Sequence, residues 1–253
     1  MLADAWRPLR YVVRVPLLLA LLLIGLPITL LLINPLTHRL RVHGERVDER
    51  VIRSWTGALV RLFGLRTRRV GQPLPGAVLM VANHVSWIDI SLLHSQYMAG
   101  FVAKDEISRW PLIGWLAGRA GTIYHQRGSN QSLLGVQQQM LDRLHNGMAV
   151  AVFPEGGTGN GEALRVFHAR ILQPALEANV PVQPVALRYG DEGSAQTQVA
   201  FAPGEQFLHN FLRLLGDPVR VAEVHFLQPV PAEGGRRAMA DLARARIAAA
   251  LAP

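Results

Sequence analysis

The sequence predicts an α/β fold with a mainly parallel central sheet flanked by helices, and an N-terminal membrane-embedded helical anchor before it. A long uncharged apolar run lies near the start of the chain, and half of the 253 residues are hydrophobic. After residue 76, short apolar runs alternate with longer amphipathic ones. Strands that alternate with helices in this way are typical of a parallel sheet covered on both faces.

The anchor is predicted from residues 15–33, which carry no charge. A bilayer is spanned by about 20 such residues. A cleaved signal peptide has a similar pattern, but no small-x-small cleavage site follows this run. Arginines flank both of its ends, so the positive-inside rule assigns no orientation. Two arrangements remain, a simple span and a hairpin that bends near Pro27 and returns along an interfacial stretch at residues 55–65.

The turn-rich segment at residues 71–76 divides the chain into two predicted parts. Residues 1–70 form the membrane anchor and interfacial helix, and residues 71–253 form the catalytic domain. Short apolar runs predict strands, and longer periodic runs predict helices. The strands are expected at residues 77–82, 100–103, 122–124, 149–153, 180–188 and 219–226. The helices are expected at residues 86–98, 107–120, 130–145 and 236–251.

The composition restricts the chemistry that the chain can perform. The formal net charge is +8, and Lys104 is the single lysine among 26 cationic residues. A basic surface suits anionic lipids, phosphorylated substrates or nucleic acid. Because the arginines cluster around the apolar run and no nucleic-acid-binding motif is present, we expect no nucleic-acid partner. The chain has no cysteine and no i, i+4 histidine pair, so we expect neither a thiol nucleophile nor a metal site.

A histidine and an aspartate lie where the first predicted strand of the sheet passes into a helix. His84 is a candidate general base near neutral pH, and Asp89 is a candidate for fixing its tautomer. Ser86 and Asp89 match a capping box, which places Asp89 in the first helical turn pointing back towards His84. The same match allows a structural interpretation, in which Asp89 only caps the helix and His84 is a loop histidine.

Four sequence blocks resemble the glycerolipid acyltransferase family typified by bacterial 1-acylglycerol-3-phosphate acyltransferases. The resemblance runs from about residue 81 to residue 189, and the blocks follow in the family's order. The first is Asn-His-x4-Asp, the second contains a lysine and ends in arginine, the third is Phe-Pro-Glu-Gly, and the fourth is an apolar strand with a proline. The matching residues are Asn83, His84 and Asp89; Lys104, Gly114, Gly121 and Arg127; Phe153, Pro154, Glu155 and Gly156; and Pro184.

The resemblance implies an O-acyltransferase that moves a fatty acyl group from acyl-CoA or an acylated acyl carrier protein to a lysolipid hydroxyl. The acceptor it implies first is 1-acyl-sn-glycerol-3-phosphate, which becomes phosphatidic acid. The thioester is a co-substrate, and no cofactor is expected. The implied location is the bacterial inner (cytoplasmic) membrane, with the catalytic domain on the cytoplasmic face among membrane lipids.

The same resemblance implies roles for individual residues. His84 would take the hydroxyl proton while Asp89 orients its ring. Lys104 and Arg127 would bind the acceptor headgroup or the donor phosphates, unless they are solvated surface charges. Glu155 would contact acceptor hydroxyls, unless it caps a turn.

Backbone N–H groups after His84, or those around Gly156 and Gly157, are the candidates for an oxyanion site, and Thr158 belongs to the same substrate-binding loop. The residues with an oxyanion or structural role are Asn83, Ser86 and Pro154.

The third block departs from the pattern of the members that form phosphatidic acid. Those members continue with Thr-Arg-Ser, whereas this chain has a glycine-rich loop without arginine at residues 157–161. Relatives that acylate lyso-ornithine lipid often have such a loop, so lyso-ornithine lipid or another lysolipid is an alternative acceptor. Arg165 or Arg170 would then supply the missing charge. A non-catalytic lipid-binding protein on the same fold is a further alternative, since a fold does not determine a function.

Overall fold

A seven-stranded sheet forms the centre of the protein in the computed structural model, which describes residues 4–110, 113–126 and 128–252. The strand order is β3-β9-β8-β4-β7-β5-β6, and every neighbouring pair is parallel except β8 with β9. The prediction of a mainly parallel sheet is therefore confirmed. The strands are β3 (Leu65–Val70), β4 (Leu79–Ala82), β5 (Gly100–Lys104), β6 (Ile123–His125), β7 (Val150–Val152), β8 (Val182–Tyr189) and β9 (Arg220–Phe226). A separate two-stranded ribbon consists of β1 (Arg41–Val42) and β2 (Glu45–Arg46).

Helices cover both faces of the sheet. Successive residues of each strand point to opposite faces, so a strand with apolar residues throughout contributes to a core on each side. Leu79 and Val81 of β4 belong to one core cluster, whereas Met80 and Ala82 belong to the other. The helices are α1 (Arg7–Ala20), α2 (Leu26–Leu32), α3 (Pro35–Arg39), α4 (Val47–Leu62), α5 (Ile88–His94), α6 (Ile113–Arg119), α7 (Asn130–His145), α8 (Gln173–Glu177), α9 (Gln196–Val199), α10 (Phe207–Gly216) and α11 (Gly235–Leu251). Short 3-10 helices lie at Asp105–Arg109, Ala169–Leu172 and Asp191–Gly193.

Two of the sequence expectations about the sheet and its helices need correction. The strand β3 was missed because its sequence is rich in arginine, which an edge strand tolerates where side chains face solvent. It lies before the boundary expected at residue 70, yet it pairs with β9 and belongs to the sheet. The helix expected at residues 107–120 is divided into the 3-10 helix Asp105–Arg109 and α6, and Pro111 lies outside the described residues.

The N-terminal apolar segment is one long helix, in which a π-helical turn at Leu21–Gly25 joins α1 to α2. The most apolar stretch of 18 residues within Arg7–Leu32 has a mean hydropathy of 2.7, and by length and composition the helix is able to cross a membrane. The reversal expected near Pro27 is wrong, because the helix runs through Pro27 and continues to Leu32. The helix ends at Ile33, where the backbone leaves the helical region.

The helix α4 returns antiparallel to this long helix, and together they form a hairpin. Ile33 packs in one cluster with Ile52 near the turn of the hairpin. Further along, Trp55 Nε1 donates to the Leu21 carbonyl at 3.4 Å. The chain therefore reverses between Asn34 and Arg46, which is later than the sequence indicated.

Both ends of the long helix are bonded to the domain that contains the sheet. Arg14 donates to the carbonyls of Leu215 and Asp217, at 2.9 Å and 2.7 Å, where α10 ends. At the opposite end, Arg119 of α6 donates to the Ile33 carbonyl at 3.1 Å. The hairpin consequently lies along the domain and does not project away from it.

The outer side of the long helix presents an uninterrupted apolar surface. Nine of its large apolar side chains are at least half exposed, and they are Leu9, Val12, Val13, Leu17, Leu19, Leu23, Ile24, Ile28 and Leu31. A contiguous apolar surface of this kind marks a contact with a membrane or with another protein.

His94, at the end of α5, makes the fold sensitive to acid. Burial lowers the pKa of His94 to about 4, and its Nε2 lies 3.0 Å from the Ala99 carbonyl. Because the folded pKa is below the ordinary value of 6.5, this stabilisation is complete above pH 6.5 and is lost as the pH falls towards 4. We expect the wild type to lose about 3 kcal/mol more unfolding free energy between pH 7 and pH 4 than His94→Gln does. Denaturant titrations at several pH values measure this, and parallel losses would contradict it.

Candidate active site

His84 and Asp89 lie at the carboxyl edge of the sheet, immediately after β4, and form the pair that the sequence predicted. His84 Nδ1 is 2.8 Å from Asp89 Oδ2, and the His84 side chain is 13% exposed whereas Asp89 is fully buried. The ring of Phe153 stacks on the imidazole with the centroids 3.9 Å apart. The histidine is therefore held in one orientation, with part of its ring open to solvent.

The buried carboxylate of Asp89 is held by four donors. Its Oδ2 accepts from the backbone N–H groups of Val85 and Ser86, at 2.8 Å and 2.9 Å, in addition to His84 Nδ1. Its Oδ1 accepts from the hydroxyl of Tyr189. A carboxylate in this position assigns the ring proton of His84 to Nδ1. In the described part of the chain Nε2 has no hydrogen-bond partner, so its lone pair is free to accept a proton.

Tyr189 is a member of this constellation that the sequence did not identify. It is fully buried at the end of β8, one hundred residues from Asp89 in the chain. Burial, together with the charge of Asp89, raises the pKa of Tyr189 well above its ordinary value. Its hydroxyl therefore stays protonated and donates to Asp89. A polar residue at the carboxyl end of a strand was the only signal in the sequence.

The capping box predicted from Ser86 and Asp89 is half formed. Asp89 does reach back to the Ser86 N–H, but the Asp89 N–H bonds to the Ser86 carbonyl at 3.2 Å and not to its hydroxyl. The Ser86 hydroxyl is buried and has no partner among the described residues. The helix α5 begins only at Ile88, so Asp89 supports the turn that contains His84 more than it caps a helix.

The sequence left an oxyanion role and a structural role open for Asn83, and its contacts are structural. Its side chain donates to the Leu187 carbonyl at 3.0 Å and accepts from the Leu187 N–H at 2.8 Å. These two bonds continue the pairing of β4 with β8 beyond the last residue of β4. They hold the backbone in place immediately before His84.

Glu155 caps backbone groups. This is the second of the two roles that the sequence allowed, the first being a contact with the acceptor. It is 6% exposed, and its two oxygens accept from the N–H groups of His84 at 2.8 Å and Arg165 at 3.0 Å. Burial raises the pKa of Glu155. The Gly159 N–H also donates to the His84 carbonyl at 2.6 Å, so the loop after β7 binds both backbone groups of His84.

Hydrogen bonds within the site occupy some of the backbone N–H groups that were candidate oxyanion donors. The N–H groups of Val85 and Ser86 bond to Asp89, so two of the N–H groups after His84 are already used, and an oxyanion site at the start of α5 stays a prediction. Gly156 donates to the Phe153 carbonyl at 3.1 Å. Within the described residues, the N–H groups of Gly157 and Thr158 remain without a partner. They are the candidates that remain around Gly156.

A cavity of about 560 Å³ lies beside this site. Phe153, which stacks on His84, forms part of its wall, as do Pro154 and Gly156. The expected substrate ligand Lys104 lines the cavity and pairs with Glu106 at 2.8 Å. Arg127, expected in the same role, lies outside the described residues. Among the described residues no group of three or more histidines, aspartates and glutamates is able to hold a metal ion, and the expectation of no cofactor stays a prediction.

Tyr189→Phe is expected to lower kcat about three- to tenfold with little change in KM, because Asp89 then orients His84 with one donor fewer. The lost bond should also lower the free energy of unfolding by about 1–2 kcal/mol. The control is Tyr124→Phe, which removes a 2.6 Å bond to the Gly114 carbonyl. Initial rates and thermal unfolding of both variants test this, and equal kcat values in the two would leave Tyr189 with a structural role only.

Comparison with known proteins concerns the segment of the chain that contains this site. The sequence model of the acyltransferase family matches residues 40–188, which contain His84, Asp89 and Glu155. A lyso-ornithine lipid O-acyltransferase of Pseudomonas aeruginosa is 41% identical over 196 residues, which are 78% of this chain and 75% of the relative. A 1-acyl-sn-glycerol-3-phosphate acyltransferase of Neisseria gonorrhoeae is 38% identical over 148 residues, which are 58% of each chain.

A solved structure shows the same fold. It is the 1-acyl-sn-glycerophosphate acyltransferase from Thermotoga maritima, with a TM-score of 0.68 and 17% sequence identity, covering 95% of this chain and 96% of that one. At this identity the likeness concerns the fold, whereas the family match extends over more than half of the sequence. Since the Pseudomonas relative is also similar across most of both chains, the protein belongs to the acyltransferase family and is an enzyme that transfers acyl groups.

Proposed function

We propose that the protein transfers a fatty acyl group from an acyl thioester to the free hydroxyl of a lysolipid at a membrane surface. The observation that supports this most strongly is the imidazole of His84, whose Nδ1 is bonded to a buried aspartate. Its Nε2 has no partner among the described residues. This arrangement makes Nε2 a general base, and such help accelerates a reaction by about 100- to 10,000-fold.

The reaction needs no nucleophile from the enzyme, because a thioester is already activated. Nε2 of His84 takes the hydroxyl proton while the acceptor oxygen forms a bond to the thioester carbonyl carbon. The tetrahedral intermediate then collapses, the bond from carbon to sulfur breaks, and the imidazolium returns the proton to the thiolate. Asp89 stabilises the imidazolium, and the N–H groups of Gly157 and Thr158 are our candidates for the oxyanion site.

As the acceptor we favour lyso-ornithine lipid over the 1-acyl-sn-glycerol-3-phosphate that the sequence placed first. The loop at residues 157–161 carries no arginine. In it Asn160 donates to Glu162 at 2.7 Å, and the arginine that follows the loop, Arg165, donates to the Thr158 carbonyl at 3.5 Å. Similar proteins from Pseudomonas aeruginosa and Brucella abortus are lyso-ornithine lipid O-acyltransferases. The basic cavity beside His84 is the observation that keeps the phosphate-bearing acceptor as the second candidate.

An acceptor panel separates the two candidates. The purified protein is given one labelled acyl thioester, as the CoA ester and as the acyl carrier protein ester, with each lysolipid in turn. We expect kcat/KM for lyso-ornithine lipid to exceed that for lysophosphatidic acid. The reverse order would make phosphatidic acid the product, and an absence of transfer to every lysolipid would refute the proposed function.

We further propose that the hairpin lies in one leaflet of the bacterial cytoplasmic membrane, with the catalytic domain in the cytoplasm. Contacts of both ends of the long helix with the catalytic domain favour this arrangement over a simple span. Labels attached at the two termini should then be equally accessible from one side of sealed vesicles. Accessibility from opposite sides would establish a span.

A further inference from the structure

We infer that Arg170, Arg236 and Arg237 form an anion-binding rim on the cavity beside His84, which takes a phosphate or carboxylate of one of the two substrates. This inference rests on the proposed function, and it concerns residues outside the four sequence blocks. All three arginines line the cavity. We call these three residues the arginine rim.

The charges of the arginine rim are not neutralised by the protein. Arg170 donates to the Asn130 side-chain oxygen at 3.3 Å, and Arg236 donates to that of Gln173 at 3.0 Å. Both partners are neutral amides. In the described part of the chain, no carboxylate lies within ion-pair distance of the rim, and none of the residues lining the cavity is acidic.

The local backbone adds to the positive potential at the rim. Arg236 and Arg237 lie in the first turn of the 17-residue helix α11, which has no acidic residue in that turn and no side-chain cap at Gly234. The aligned peptide dipoles of a helix produce a partial positive charge at this end. Arg170 lies on the 3-10 helix Ala169–Leu172, which packs against α11. The 3-10 helix and α11 therefore place their arginines around the same cavity.

The arginine rim supplies positive charge to the cavity that the third sequence block, Phe-Pro-Glu-Gly, also lines. That block lacks the expected arginine and continues with Gly157, Thr158 and Gly159. His168, which precedes the 3-10 helix, lies so close to Gly156 that an added Cβ would be 3.1 Å from its Cδ2. The rim is thus connected to the Phe-Pro-Glu-Gly segment through His168. A cavity of about 560 Å³ accommodates a lipid headgroup or a phosphorylated carrier arm.

The experiment measures KM separately for each substrate, with the full-length protein in mixed micelles. Arg237→Gln is the first variant, because Arg237 makes no hydrogen bond or ion pair within the described residues. Its matched control is Arg66→Gln, which removes an exposed arginine from the opposite edge of the sheet. We expect Arg237→Gln to raise the KM of one substrate about tenfold and to leave kcat within about threefold. Arg237→Lys should restore most of the affinity, since a point charge remains.

The two arms of the assay identify the source of the anion. A higher KM for acyl-CoA alone assigns the rim to the donor phosphates, and a higher KM for the lysolipid alone assigns it to the headgroup. Unchanged KM values, or equal increases for both substrates, would overturn the inference, because one anion site serves one substrate. Wild-type protein without transferase activity would instead refute the proposed function.

Discussion

His84→Ala is expected to lower kcat by about 100- to 10,000-fold, because the substitution removes the proposed general base. The KM values of donor and acceptor should change little, since in the proposed mechanism His84 acts only on the reacting hydroxyl. The measurement is the initial rate of transfer from a labelled acyl thioester to the preferred lysolipid. Raising the pH should not restore the rate, because no other base replaces Nε2.

The control for this substitution is His145→Ala, which removes an exposed histidine at the end of α7. We expect its kcat to equal that of the wild type. A thermal unfolding curve of His84→Ala close to the wild type would exclude loss of the fold as the cause. Full activity in His84→Ala would instead favour the alternative of a lipid-binding protein in which the histidine has no catalytic part.

Asp89→Asn is expected to have the second largest effect, with kcat lowered by about 100- to 10,000-fold. The side-chain amide presents an N–H where an oxygen now accepts from Tyr189 or from the backbone of Val85 and Ser86. The tautomer of His84 is then no longer fixed. The unsatisfied buried donors should also lower the free energy of unfolding by about 1–3 kcal/mol. Kinetics and denaturant unfolding of the same preparation measure both effects.

The matched control is Asp142→Asn, at an exposed position of α7 where the carboxylate accepts from Gln138. It should change neither kcat nor stability. If Asp89→Asn lowered stability but left kcat unchanged, Asp89 would be a cap for the turn and nothing more. This was the structural interpretation that the sequence motif also allowed.

The pairing of His84 with Asp89 was predictable because both residues belong to one turn. They are five positions apart, and the buried strand before them and the helix that begins at Ile88 determine the path of the chain. Tyr189 was not predictable from the same pattern. Its contact with Asp89 depends on β8 lying next to β4, and nothing local in either segment specifies that order.

Glu155 and Arg14 show that the sequence does not determine which partners a charged side chain binds. The sequence placed Glu155 at the end of a strand but left its partners open, because those partners are backbone groups, one of which lies 71 residues away. Arg14 and the other arginines before the apolar run were expected near lipid headgroups. In the structure Arg14 is buried and bonds to backbone carbonyls at the end of α10. Charge patterns alone do not distinguish these two surroundings.

The bonds from Arg14 to α10 also determine how the enzyme can be handled outside a membrane. Deleting residues 1–39 would leave the carbonyls of Leu215 and Asp217 without their donors and would uncover the side of α4 that contains Trp55. A shortened chain would then expose apolar surface of α4 that the long helix now covers. Solubilisation by truncation should consequently fail, and the intact chain in detergent or nanodiscs is the form in which turnover should be assayed.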